Sequence, residues 1–116
     1  MIPRTLFIIS SDPRSSPRPA EAIRIAAGVG TWQKNTITVY LRGLAVLVLG
    51  ENVDELMDGE NFVRYLPMVP GFGHPIYVER NTPWLTEAGP TELAYQEVSD
   101  IELATLAAQA NYVVSF

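Results

Sequence analysis

The chain has 116 residues, 47% apolar and 18% charged, with 13 acidic against 8 basic side chains and a net charge of -5. That length is one domain, residues 1–116, with room for a real core, and the acidic balance excludes nucleic acid as a partner because a polyanion is repelled by most of such a surface. No cysteine and a single histidine exclude disulfides, thiolate nucleophiles, zinc ribbons and histidine-based metal sites, so no metal or cofactor is expected. The charged fraction is low for a globular domain, which predicts that some apolar surface meets another subunit.

Thr5 to Ser10 is a continuous apolar run rich in β-branched and aromatic residues, the pattern of a strand buried on both faces, and is expected at the centre of the sheet. Ser11 to Ser16 is a polar loop. Pro17 and Pro19 suit a first helical turn, Ser16 is the expected N-cap, and the helix runs to about Trp32 with apolar positions on two sides. Asn35 turns the chain into a second strand, Thr36 to Leu41, and a strand-helix-strand unit of this length implies a right-handed parallel crossover.

Gly43 to Gly50 reads as a short strand or a buried helical turn, with the helix preferred. Its apolar run Leu44 to Leu49 is far short of the ~20 residues that cross a bilayer, and no signal-peptide pattern opens the chain, so no membrane is expected and the location is cytoplasmic. Asn52 to Leu66 predicts one helical turn, a break at Asp58-Gly59, then a helix. The acidic run Glu51, Asp54, Glu55, Asp58 and Glu60 has no calcium-loop spacing and is expected as a solvated helix face. Pro67 to Pro75 is a turn-rich connection and Ile76 to Glu79 a short strand. Arg80 to Ser99 is the longest irregular stretch. Ser99 or Asp100 caps a last helix with Ile101, Leu103, Ala104, Leu106 and Ala107 inward, and Tyr112 to Phe116 closes the chain as a strand. The fold class is α/β, three layers α/β/α around an open, mostly parallel sheet of about five strands.

Three patterns stand in order along the chain. The opening strand runs into Ser10-Ser11-Asp12-Pro13-Arg14-Ser15-Ser16 and an Ala-rich helix near Ala20-Glu21-Ala22. The second strand enters Leu41-Arg42-Gly43-Leu44-Ala45-Val46. A closing Ser99-Asp100-Ile101-Glu102-Leu103-Ala104 helix leads to Asn111-Tyr112-Val113-Val114-Ser115-Phe116. On these patterns the chain resembles the DsrE-like (DsrE/DsrF/DsrH) sulfur-relay family over nearly its whole length. The resemblance implies a three-layer fold and a homo-oligomer, trimer or hexamer, built through surfaces next to the sheet. It also implies a sulfur-accepting cysteine at or just after the third main strand, where this chain reads Ile76-Tyr77-Val78-Glu79-Arg80-Asn81-Thr82-Pro83. None of these residues can form a persulfide, so the expectation is a non-catalytic member acting as a binding or scaffold subunit, beside a cysteine-bearing relay partner.

A different class of reading is a small-molecule pocket at the carboxyl ends of the strands. The loop with Ser11, Arg14, Ser15 and Ser16 runs into a helix N-terminus, where exposed N–H groups with Arg14 and Arg18 nearby suit an anionic ligand, although no GxGxxG or Walker spacing is present. His74 is the one histidine of the chain, the side-chain type suited to acid–base work near neutral pH, and Glu79 stands near the family's cysteine position, so these two join the candidate ligand-binding set. Against this stand a capped solvated turn, a structural histidine and an exposed strand-end glutamate. Trp84 and Tyr95 read as a lid or, preferably, as a subunit contact.

Overall fold

The computed structural model describes residues 2–32 and 35–116. Five strands, β1 (Arg4–Ile9), β2 (Thr36–Leu41), β3 (Ile76–Glu79), β4 (Tyr95–Val98) and β5 (Tyr112–Ser115), form one sheet in the order β4-β3-β2-β1-β5. Every pairing is parallel. The middle position therefore belongs to β2, and β1 lies between β2 and β5 rather than at the centre as its unbroken apolar run predicts.

Chain direction explains the three layers. From β1 the sheet grows one strand at a time towards β4, so right-handed crossovers lay α1 (Arg18–Thr31), α2 (Glu60–Tyr65) and α3 (Trp84–Ala88) on one face. The step from β4 back to β5 runs the other way across the sheet, and the same handedness sends α4 (Asp100–Gln109) to the opposite face. Side chains alternate accordingly. Phe7, Ile9, Ile37, Val39, Leu41, Ile76 and Val78 pack under α1 and its neighbours, whereas Leu6, Tyr40 and Val98 pack with Leu103 of α4.

The 3-10 helix Gly43–Leu49 buries Ala45, Val46, Val48 and Leu49, in line with the preferred helical reading of that run. A 3-10 turn at Val53–Glu55 and then α2 reproduce the predicted turn, break and helix, with Asp58 at φ 50 in the break. The acidic run is consequently spread over a bend at Glu51, the 3-10 turn, the break at Asp58 and the start of α2, and is not one helix face. Leu66–Phe72 forms another 3-10 helix inside the predicted connection. The stretch expected to be irregular holds both α3 and the edge strand β4.

Two further differences concern helix ends and faces. Pro17 takes the N-cap position of α1 in place of Ser16, whose Oγ instead accepts the Arg18 N–H at 3.2 Å. In α4, Ser99 caps as expected, in a reciprocal box with Glu102. Only Leu103, Leu106 and Ala107 of that helix turn towards the sheet; Ile101 and Ala104 face outward, Ile101 being 81% exposed. No helix among the described residues is long and apolar enough to cross a membrane.

Candidate functional site

A parallel sheet places all its strand-end loops on one edge, and open α/β sheets take ligands there. The loop after β1 is already well satisfied. Ser10 N, Ser11 N and Ser11 Oγ all donate to the Phe116 carbonyl oxygen, at 3.1, 3.2 and 3.1 Å. Ser15 N and Ser16 N donate to the Asp12 carbonyl, at 3.3 and 2.9 Å. Arg18 bonds the Ser115 carbonyl at 3.2 Å and lies over the Phe116 ring. Arg14 forms a forked pair with Asp12, Nε to Oδ1 and Nη2 to Oδ2 both at 3.0 Å. That guanidinium, with the Arg14 backbone N–H, holds the Asp12 carboxyl below the usual carboxylate range. The donors that suit an anion are thus engaged by the chain itself.

A second polar group gathers where β2 and β3 end. Glu79 Oε1 accepts the Gly43 N–H at 3.2 Å, and Gly43 sits at φ 56, a left-handed conformation that favours glycine. Arg42 bridges Glu79 and Asp100 with ion-pair distances of 3.5 Å each, and its guanidinium lies over the Tyr40 ring at 5.6 Å. Tyr40 is fully buried, and among the described residues its hydroxyl has no hydrogen-bond partner. Desolvation raises its pKa above the ordinary phenol value, against the opposing pull of Arg42. Next along the chain, Asn81 turns the chain at φ 63 and Arg80 pairs with Glu102 at 2.8 Å.

Between the β1 loop and α3 lies a cavity of about 390 Å³. Arg14, Trp84, Glu51, Glu55 and Glu87 supply its functional groups, and Leu47, Leu56 and Ala88 its apolar wall. The Arg14 guanidinium sits over the Trp84 ring, 6.0 Å from its centroid. The floor depends on Gly50, where a Cβ would come 2.6 Å from the Ala88 carbonyl oxygen, so α3 can approach the 3-10 helix only because that residue is glycine. Trp84 packs half-buried against its own chain's core. Tyr95 stays 39% exposed on the edge strand.

The six candidate residues do not converge. Ser11, Ser15, Ser16 and Arg14 share the β1 loop, and only Arg14 of these lines the cavity. Glu79 belongs to the Arg42 cluster. His74 precedes β3 while Glu79 ends it, so the two stand at opposite ends of that strand. Sequence reasoning passed over Arg42, Tyr40, Glu51, Glu55 and Glu87 as site residues. The one usable signal was position, since Arg42 comes directly after β2 and so had to lie on the same edge as Glu79.

No protein-family model matches the chain, and no curated protein matches it in sequence. Among solved structures, the crystal structure of the ychN protein from E. coli is similar with a TM-score of 0.75, covering 98% of this chain and 99% of that one at 15% identity. At that identity the likeness speaks to architecture alone. The five-stranded parallel sheet with helices on both faces matches the architecture of that neighbour.

Proposed function

We propose that the chain is a non-catalytic DsrE-like subunit that works as a cytoplasmic homo-oligomer, a trimer or hexamer, and serves as a binding or scaffold component beside a cysteine-bearing sulfur-relay protein. The observation that carries this reading is the chemistry at the end of β3. A persulfide requires a thiolate sulfur, and here Glu79 is committed to Gly43 and Arg42 in a chain without cysteine. The apolar surface supports assembly: Ile101, Tyr112, Val113 and Val114 are exposed on α4 and β5 by 81%, 60%, 46% and 36%. Native mass spectrometry of the gently purified protein, set against its denatured mass, is the test. A trimer or hexamer is expected, and a strict monomer at micromolar concentration overturns the proposal.

A further inference from the structure

The cavity between the β1 loop and α3 has a chemistry opposite to the anion site that its loop position invites. Its aromatic face already carries a cation, because the Arg14 guanidinium lies over Trp84. Asp12 neutralises that guanidinium through the forked pair, which leaves the exposed carboxylates Glu51, Glu55 and Glu87 to set the field at the cavity mouth. These carboxylates are dispersed around the wall. Among the described residues no three acidic or histidine side chains are grouped closely enough to hold a metal ion, so a point charge is poorly served, whereas an extended cation could reach more than one carboxylate. The volume of about 390 Å³ falls in the range of small-ligand pockets, and Leu47, Leu56 and Ala88 offer apolar contact for an alkyl stem.

We propose that this cavity binds a small organic cation of the alkylguanidinium class, which takes the Trp84 face from Arg14 and pairs its far end with the glutamates. Arg14 acts in this scheme as an internal occupant that a ligand displaces. The proposal does not depend on the oligomeric reading.

Agmatine is a suitable probe, with a guanidinium at one end and an amine at the other. The sequence has two tryptophans, so a Trp32→Phe protein leaves Trp84 as the single indole reporter; Trp32 is 76% exposed and that change spares the core. Saturable quenching of Trp84 emission with a Kd below about 1 mM is expected. Arg14→Ala in the same background should tighten agmatine binding about threefold, by freeing the aromatic face and unpairing the Asp12 carboxylate. The triple substitution Glu51→Gln, Glu55→Gln and Glu87→Gln should weaken it about tenfold. Circular dichroism checks that each variant is folded. Absence of saturable binding overturns the proposal, as does an Arg14→Ala affinity that is unchanged or weaker; tighter binding of inorganic phosphate than of agmatine would restore the anion reading in its place.

Discussion

The Glu79 carboxylate reaches from the end of β3 to the Gly43 backbone N–H, 3.2 Å away, and fixes the turn by which β2 enters its 3-10 helix. Glu79 thus has a structural task. Glu79→Ala removes the acceptor and one partner of Arg42, and should destabilise the fold by about 1 kcal/mol in urea titration. Glu79→Gln keeps an acceptor for Gly43 and should lose less. Equal losses for the two variants would mean that the Arg42 ion pair, and not the Gly43 bond, carries the effect.

Tyr40 buries a hydroxyl without a described partner, a state that costs stability. Tyr40→Phe removes only that oxygen, so a gain of about 1 kcal/mol is expected in thermal or urea unfolding. Because the folded-state pKa of Tyr40 is raised, its titration leaves stability unchanged below the ordinary phenol pKa and lowers it as pH climbs from that value through the folded one. Absorbance titration near 295 nm should show a late-ionising component that Tyr40→Phe abolishes.

At the start of α4, Ser99 N donates to Glu102 at 3.0 Å and Glu102 N to Ser99 Oγ at 3.2 Å. The Ser99 hydrogen bonds hold the Glu102 carboxyl below its usual pKa, with Arg80 adding to the effect. The stabilisation from this depressed pKa is present above the unfolded carboxylate value and is lost as pH falls through the folded one. Ser99→Ala should cost about 1 kcal/mol and flatten that acid dependence. Hydrogen exchange of α4 amides across the acid range reads both effects.

Ile101 projects from the outer face of α4, 81% exposed. Ile101→Asp should leave the folded chain within about 0.5 kcal/mol of its original stability while driving the proposed oligomer towards monomer in native mass spectrometry. Retained assembly would move the interface off α4 and onto the β5 edge, where Val113→Lys is the corresponding probe.

Much of this architecture was legible because its signals were local. β1 and β2 announce themselves through dense β-branched and aromatic runs, and α4 through its cap and Ala-rich body. β4 left no such trace, since three of its four residues are exposed and only Val98 is buried; an edge strand with one neighbour needs no apolar alternation. α3 has five residues between Pro83 and Gly89, too few for a helical period to emerge. Ile101 misled because α4 is apolar on its outer side as well, so composition alone could not say which stripe met the sheet. At the site, Arg14 was visible as a loop cation, but its seat on Trp84 joins residues that only the tertiary fold brings together. The separation of His74 from Glu79 is implicit in the order of the residues, since the two flank a single strand and therefore lie at its two ends.

The pairing of β1 with β5, Thr5 opposite Tyr112 through Ile8 opposite Ser115, joins segments separated by more than a hundred residues. No shorter-range contact can stand in for that closure, and the entropy of bringing such distant segments together must be met before the pairing returns any stabilisation. Until then Leu6 and Ile8 lack their cover on one side, and the β1 edge is open to another chain. Refolding should accordingly be slowest and most concentration-sensitive at this seam, and a ribosome-bound nascent chain can complete its sheet only after residues 112–115 have left the exit tunnel.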